Sequence, residues 1–254
     1  MRRETEVAIR AALLAQQMAD SREGAGQITS KGGIDLVTAT DVACEDAIRA
    51  ELSTVFPGHS IIGEERGGEP VAGKPYWLVD PICGTRLFAS NLPLYCHNIA
   101  LIEESGVSVA AVGVGRSGEI LFAEKGAGAW IRTAAGDRKL SVSDSSNAIW
   151  IDGDGRAAEP IRRAWESGRY YVWLYSSSVV LAHLADGRIS GGLHFGEPAT
   201  NTFGSEHFSA GCLVAEEAGA LIMDFQTGKP WNLQTRSFLF AATPEVRDQL
   251  LSLI

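Results

Sequence analysis

The spacing of apolar residues along the chain predicts two amphipathic helices near the N-terminus. In residues 3–19 the apolar positions recur at helical spacing and would share one face: Val7, Ala11, Leu14, Ala15 and Met18. Residues 20–33 are rich in Gly and Ser, which predicts a loop. A second helix is predicted over residues 41–56, and Pro57-Gly58 would end it.

The next apolar segments are short, and they predict strands. Residues 60–63 and 76–80 are two such segments, separated by a loop over residues 65–75. Residues 98–115 predict two strands joined by a turn at 104–106, and residues 118–131 continue the sheet through Gly-rich turns. The first part of the chain therefore predicts helices followed by an antiparallel sheet.

From about residue 146 the pattern changes to strands and helices in alternation. The predicted segments are 148–152, 170–178, 179–187, 191–196, 208–220, 221–225 and 237–243. A closing helix is predicted over 244–254, with a proline in its first turn. We predict two packed halves: an N-terminal α+β half over 1–145, which carries the candidate site motifs, and a C-terminal α/β half over 146–254.

Composition narrows the possible classes of protein. The chain has 254 residues, of which 45% are hydrophobic, so a large core can form. Its net charge of −9 argues against a non-specific nucleic-acid binder, which normally carries a basic face. The sequence contains no stretch of 18 apolar residues, so it predicts no membrane span. The four cysteines form no C-x-x-C pair and the N-terminus does not resemble a signal peptide, so we expect a cytoplasmic protein with reduced thiols.

Two carboxylates end neighbouring predicted strands. Glu64 follows the strand 60–63, and Asp80 ends the strand 76–80. Carboxylates at adjacent strand ends can share a hard divalent cation, which prefers oxygen ligands. The alternative for Glu64 is a solvated loop acid.

The residues after Asp80 predict a tight turn. Pro81 fixes its backbone angle and Gly84 permits a turn, so that successive amide groups can point at one anion. Thr85 can orient a metal-bound water. Cys83 is either a ligand or, as free cysteines usually are, a small buried apolar residue.

A second cluster begins at Glu206-His207, directly before a predicted helix. His207 is a plausible ligand at that point, although a single histidine is more often structural. His97 and His194 are weaker candidates by the same test.

Together these motifs resemble the inositol monophosphatase family of metal-dependent phosphatases. GIDLVTATD with Glu45 is similar to its N-terminal signature, and HSIIGEE to its Gly-Glu-Glu motif. WLVDPICGTRLF is similar to its W-x-x-D-P-x-D-G-T-x-N-F motif. LADGRIS and EHFSAGCLVAEEAGALIMDFQTG match two late motifs, the second of which usually reads W-D-x-A-A-G. The resemblance covers roughly residues 4–250 and implies layered helices and sheets in the order α-β-α-β-α.

The resemblance also implies roles for individual residues. Its metal ligands would be Glu64, Asp80 and the Ile82 carbonyl, together with the positions of Cys83 and His207. Glu64 and Thr85 would position the attacking water. Substrate contacts are expected from Cys83, Gly84, Thr85, His194 and Glu206. The implied activity is Mg²⁺-dependent hydrolysis of a small sugar, cyclitol or nucleoside phosphate by a homodimer.

Several positions depart from the family pattern. Cys83 and His207 replace two aspartates, Glu206 replaces the tryptophan, Leu87 replaces the asparagine, and Tyr175-Ser176 replaces a Gly-Ser or Gly-Thr pair. Cysteine and histidine are strong ligands for softer metals, so an Asp80–Cys83–His207 triad suits Zn²⁺ or Fe²⁺ better than Mg²⁺. Three interpretations stay open: a divergent phosphatase, a mononuclear iron or zinc enzyme such as an oxygen-using enzyme or a lyase, and a non-catalytic pseudo-phosphatase.

Overall fold

A computed structural model describes residues 1–21, 28–32, 35–153, 155–175, 177–196 and 205–254 of the chain. Within these ranges the helices are Arg3–Ser21 (α1), Ala39–Val55 (α2), Thr85–Ala89 (α3), Ala158–Glu166 (α4), Val179–Ala185 (α5), Ser205–Glu217 (α6) and Pro244–Leu251 (α7). The strands are Ile28–Gly32 (β1), Asp35–Thr38 (β2), Ser60–Gly63 (β3), Tyr76–Cys83 (β4), Cys96–Glu103 (β5), Gly106–Val114 (β6), Glu119–Glu124 (β7), Gly128–Thr133 (β8), Gly136–Lys139 (β9), Ala148–Gly153 (β10), Tyr171–Trp173 (β11), Gly191–Phe195 (β12), Leu221–Asp224 (β13), Lys229–Pro230 (β14) and Ser237–Ala241 (β15).

Two large sheets dominate the fold. The first contains seven strands in the order β3-β4-β5-β6-β7-β8-β9, and every pairing is antiparallel except that of β3 with β4. The second contains six strands in the order β11-β10-β12-β15-β13-β14 and is mixed. The antiparallel first sheet and the change of pattern near residue 146 therefore match the predicted elements.

Helices cover both faces of each sheet. On one face of the first sheet, α1 and α2 bury apolar side chains such as Val7 and Ile48 against Trp77. Between the sheets, α5 and α6 pack Leu181 and Leu213 in a shared core. The outer face of the second sheet is covered by α4 and α7. These layers confirm the α-β-α-β-α order.

The loop predicted over residues 20–33 is wrong at residues 28–32, which form β1 and pair antiparallel with β2, whereas residues 22–27 and 33 lie outside the described residues. Its Gly- and Ser-rich composition obscures the strands, which are held by backbone pairing rather than by an apolar pattern. The hairpin ends at Thr38, whose side chain accepts hydrogen bonds from the Thr40 and Asp41 amides. Asp41 reciprocates by accepting from the Thr38 amide, so this capping box starts α2 two residues before the predicted position.

The strand predicted over residues 170–178 is much shorter than expected. Only Tyr171–Trp173 pairs with β10, and the chain then leaves the sheet edge. Trp150 Nε1 donates a 2.6 Å hydrogen bond to the Tyr175 carbonyl, which ties this segment to the second sheet by a side chain instead of a ladder.

In the described part of the chain, no helix is long and apolar enough to cross a membrane.

Candidate metal and active site

The ends of β4 and α6 bring three predicted ligands together. One ligand atom each from Asp80, Cys83 and His207 lies within 4.8 Å of the others. Asp80 and Cys83 are buried, whereas the His207 side chain is 34% exposed. The cluster is therefore formed in the protein interior and opens to solvent on the His207 side.

An irregularity in β4 places Asp80 and Cys83 on the same site. The register passes from Asp80 opposite Asn98 to Cys83 opposite Cys96, so β4 has one residue more than β5 over this interval. Pro81 lies in this interval and has no amide hydrogen to donate to a ladder. Its carbonyl instead lies 2.5 Å from His97 Nδ1. Such bulges redirect side chains and are frequent beside active sites. The contact also gives buried His97 a structural role.

Asp80 and His207 form a close ion pair. His207 Nδ1 lies 2.6 Å from Asp80 Oδ2, the distance of a charge-assisted hydrogen bond. Burial raises the pKa of Asp80 to about 8, and the neighbouring Cys83 adds to that rise, while His207 opposes it. Burial lowers the pKa of His207, but the Asp80 carboxylate outweighs burial and holds that pKa well above its usual value. We conclude that the pair retains a proton at neutral pH.

The Cys83 sulfur is surrounded by hydrogen-bond donors. Ser178 donates to it from its amide at 3.3 Å and from its hydroxyl at 3.0 Å. Asn98 Nδ2 contacts the same hydroxyl at 2.9 Å and the His207 carbonyl at 3.0 Å, which links the two ligands. The neighbouring Cys96 thiol and burial raise the pKa of Cys83 well above that of a free thiol. In the absence of a cation Cys83 is therefore a thiol.

Thr85 stands at the start of α3, directly after the cluster. Its hydroxyl lies 3.0 Å from Asp41 Oδ1 and 3.1 Å from the Ile82 carbonyl. Burial raises the pKa of Asp41, although Thr38 and Thr85 lower it by hydrogen bonding. Asp41 was missed as a functional candidate by reasoning from the sequence. Its presence in the GIDLVTATD motif was the available signal.

Glu64 is held near the cluster by a buried carboxylate on α2. Glu45 accepts hydrogen bonds from the Glu65 amide at 2.7 Å and the Arg66 amide at 3.1 Å. A Cβ on Gly63 would lie only 2.1 Å from Glu45 Oε1, so glycine is required for this close approach. The Glu64 amide in turn donates to the Val79 carbonyl at 3.1 Å. These contacts fix the segment on both sides of Glu64.

Gly84 allows the turn between β4 and α3. Its φ of +98° lies in the left-handed region, and a Cβ there would approach Ser177 Cβ to 2.9 Å. Ser177 also donates to the Cys83 carbonyl at 2.9 Å. Gly84 therefore makes the tight turn that the sequence predicts.

The remaining predicted substrate residues have different environments. Glu206 is buried, and its Oε1 lies 3.8 Å from His207 Nε2. His194 stacks on Trp150 and packs against Phe208, and its Nδ1 lies 3.7 Å from Asp152 Oδ2. The Tyr175 hydroxyl lies 3.2 Å from His183 Nδ1, while Ser176 and residues 197–204 lie outside the described residues.

A pocket of about 540 Å³ opens beside α3. Arg86, Asp152 and Tyr175 contribute its polar groups, and Leu87, Ile151 and Ile161 contribute apolar surface. Arg86 directly follows Thr85, so the pocket adjoins the turn that carries Gly84 and Thr85. A small polar molecule of mixed character fits such a lining.

The cluster fits a divalent transition-metal ion. Asp80 Oδ1 is buried and has no hydrogen-bond partner within the described ranges. A buried carboxylate oxygen is costly unless a cation or a donor satisfies it. The cluster offers oxygen, sulfur and nitrogen donors, a combination that suits Zn²⁺ or Fe²⁺ better than Mg²⁺.

Comparison with known proteins agrees with this architecture. The model of the inositol monophosphatase family matches residues 1–254. An inositol monophosphatase of Dictyostelium discoideum is 28% identical over 240 residues, which cover 90% of this chain and 85% of the relative. Nus factor SuhB of Vibrio cholerae is 30% identical over 241 residues, covering 87% of this chain and 85% of the relative.

A solved structure shows the same fold. The IMPase of Thermotoga maritima superposes with a TM-score of 0.85 at 23% identity, covering 99% of this chain and 96% of its own. The family is one of divalent-metal-dependent phosphatases that act on small phosphorylated substrates. With a family match over its full length, the chain belongs to the inositol monophosphatase family.

Proposed function

We propose that the chain is a phosphomonoesterase that uses a softer divalent metal than Mg²⁺. The convergence of Asp80, Cys83 and His207 within 4.8 Å is the observation that carries this proposal. Its substrate would be a small sugar, cyclitol or nucleoside phosphate, a class taken from the family. The pocket beside α3 has room for a group of that size.

The proposed ligands are Asp80, Cys83 and His207, with Glu64 and the Ile82 carbonyl beside them. Sulfur and imidazole favour Zn²⁺ or Fe²⁺, whereas Mg²⁺ requires a near-ideal set of oxygen ligands. When bound, such an ion lowers the pKa of a coordinated water and offsets the charge of the phosphate. Glu206 and Asn98 would hold His207 in place, because each lies against that residue.

The chain's own groups would perform the remaining tasks. Asp41 accepts the Thr85 hydrogen bond at 3.0 Å, so this pair can orient a water and receive its proton. Glu64, at the end of the neighbouring parallel strand β3, would hold the same water. The backbone amides of Gly84 and Thr85 would bind the phosphate at the turn, as the family resemblance implies. Arg86 adds a positive charge to the adjoining pocket.

A second candidate is a mononuclear zinc or iron enzyme of another reaction class on the same fold. The observation that favours it is the buried Cys83 sulfur, which accepts two hydrogen bonds from Ser178. Hydrogen bonds to a ligating sulfur tune the metal that it holds. Fold alone does not decide between the two reactions.

Metal content and phosphate release together test the proposal. Protein purified without chelator is analysed for metals, then stripped and reloaded separately with Mg²⁺, Mn²⁺, Zn²⁺ or Fe²⁺ under anaerobic conditions. We expect about one Zn or Fe per chain, and phosphate release from a panel of small phosphomonoesters with that ion. Strong turnover with Mg²⁺ alone would contradict the metal assignment. One bound Zn or Fe without phosphate release would favour the second candidate. A protein that binds no metal and shows no activity would favour a pseudo-phosphatase.

A paired substitution separates the metal preference from the reaction. Cys83→Asp with His207→Asp restores two carboxylates, so calorimetry should show tighter Mg²⁺ binding and weaker Zn²⁺ binding. Each single change should do little, because one unsuitable ligand remains and contacting ligands are non-additive. If the folded double variant binds Mg²⁺ no better than wild type, these two residues do not set the preference.

A further inference from the structure

A second thiol lies directly opposite the proposed ligand Cys83. Cys83 in β4 and Cys96 in β5 are paired across the antiparallel ladder. Residues paired in this way direct their side chains to the same face of a sheet. Both cysteines belong to the core between the first sheet and the helices α5 and α6. The two thiols therefore share one buried environment.

The Ser178 hydroxyl contacts both sulfur atoms. The hydroxyl oxygen lies 3.0 Å from Cys83 Sγ and 3.4 Å from Cys96 Sγ. Opposed residues of antiparallel strands have Cα separations of about 4.5–5.5 Å, which lie within the range that a disulfide spans. The spacing expected for opposed strand residues is therefore compatible with a disulfide between the two cysteines.

We propose that Cys83 and Cys96 are a reversible oxidation site that controls metal binding. The oxidant is a small peroxide, which can approach from the side of partly exposed His207. In the first step Cys83 releases its proton and its sulfur attacks one peroxide oxygen. The O–O bond breaks, a sulfenic acid forms, and the leaving hydroxide takes up the released proton as water. In the second step Cys96 attacks the sulfenic sulfur, and a disulfide and a second water form. Two thiols are oxidised and one peroxide is reduced, so the reaction balances.

The disulfide would remove a ligand from the metal site. A metal ligates the thiolate of cysteine, and a sulfur in a disulfide no longer offers that donor. Oxidation should therefore weaken metal binding, and bound metal should disfavour the disulfide at equilibrium by the same linkage. This regulatory consequence rests on the proposed metal site, whereas formation of the disulfide rests only on the geometry of the two strands.

Cys44 provides a matched control for the proposed pair. Cys44 is fully buried in α2 and belongs to the core on the opposite face of the first sheet. Its thiol donates to the Ala15 carbonyl at 3.5 Å, a bond that serine can retain. Cys44→Ser is therefore a buried cysteine substitution that leaves the proposed pair intact.

The experiment treats metal-free full-length protein with hydrogen peroxide and then maps thiols by alkylation and mass spectrometry. Wild type and Cys44→Ser should give a peptide cross-link between positions 83 and 96, which a thiol reductant removes. Zn²⁺ affinity, measured by calorimetry, should fall at least tenfold on oxidation and return on reduction. Cys96→Ser should bind Zn²⁺ like wild type and form no cross-link. Its folding is checked by circular dichroism, with Cys96→Ala as a second variant.

The thiol map and the metal titration fail independently. Oxidation of Cys83 to sulfinic acid in wild type, with no link to Cys96, would overturn the oxidation site. Reversible loss of Zn²⁺ affinity in Cys96→Ser equal to that of wild type would overturn it as well. If reduced wild type binds no Zn²⁺ yet forms the 83–96 cross-link, the proposed metal site fails, and with it the regulatory consequence, while the oxidation site itself stands.

Discussion

Replacing Gly63 with alanine should destabilise the protein through a single steric contact. The new Cβ would lie 2.1 Å from Glu45 Oε1 and 2.3 Å from Glu45 Cδ, so the buried carboxylate must move. Glu45 also accepts from Arg49 Nε at 2.7 Å and from the amides of Glu65 and Arg66. Moving it therefore disturbs several bonds to a charged group at once.

The size of the effect can be worked out from these contacts. Overpacking a buried site costs about 1–3 kcal/mol. Each weakened hydrogen bond to a charged group is worth about 1.5–3 kcal/mol, of which part is retained if the carboxylate shifts slightly. We expect the free energy of unfolding to fall by about 3 kcal/mol. For a chain of this size that loss corresponds to a Tm decrease of about 6–12 °C. Metal affinity should fall too, because the proposed ligand Glu64 directly follows Gly63 in the chain.

Calorimetric melting of matched variants tests this reasoning. Gly58 also lies in the segment before β4, and a Cβ there meets no atom within 4 Å, so Gly58→Ala should melt close to wild type. Adding Glu45→Ala to Gly63→Ala removes the clash, and the two losses should therefore sum to more than the loss in the double variant. A Gly63→Ala protein that melts within about 1 °C of the Gly58→Ala control would refute the steric argument.

Three further predictions concern other parts of the molecule. Asp41→Asn keeps a capping side chain for α2 but loses the proton acceptor beside Thr85, so kcat should fall about 100-fold with little change in KM or Tm; an unchanged kcat would remove Asp41 from the mechanism. Burial lowers the pKa of His183 to about 4, and the other charged or titratable groups around it are Arg188, Asp186, Glu119 and Tyr175. Because the folded pKa lies below the unfolded value of 6.5, the neutral histidine stabilises the fold above pH 6.5, and this stability is lost as pH falls towards 4. Burial of the side chain is partial, so the loss is at most about 3 kcal/mol. In urea unfolding, the free energy of unfolding of His183→Asn should decline less between pH 6.5 and 4 than that of wild type. The homodimer that the family resemblance predicts should sediment at twice 27.1 kDa at micromolar concentration, and a species of single-chain mass would contradict it.

The layered fold was predictable because its signals are local and repeated. Amphipathic spacing in α1, the short apolar strands and the family motifs all indicate the same architecture. The β1–β2 hairpin was not predictable in this way, because backbone pairing holds a Gly- and Ser-rich segment that has no apolar period. The early start of α2 depends on the reciprocal contacts of Thr38 and Asp41, which only the folded chain reveals.

Some residues of the site were predictable from the sequence and others were not. Asp80, Cys83 and His207 could be assigned to one place because the family motifs align them, and the structure brings them together. Asn98 and Ser178 could not be assigned to the site from the sequence, because neither belongs to a recognised motif and both act through tertiary hydrogen bonds. Cys96 was visible as a cysteine, but its position opposite Cys83 follows from the bulge in β4 and the register of β5. His194 stays a prediction for the substrate site: it packs against aromatic side chains, and its Nδ1 lies 3.7 Å from Asp152 Oδ2 beside the pocket.

The most direct test of the metal site is X-ray absorption at the edge of the metal that copurifies with the protein. We predict about one Zn or Fe per chain with a sulfur scatterer, at about 2.3 Å if the metal is zinc. The sulfur contribution should disappear in Cys83→Ser and persist in the Cys44→Ser control. A metal surrounded only by oxygen and nitrogen in the wild-type protein would contradict the assignment of Cys83 as a ligand.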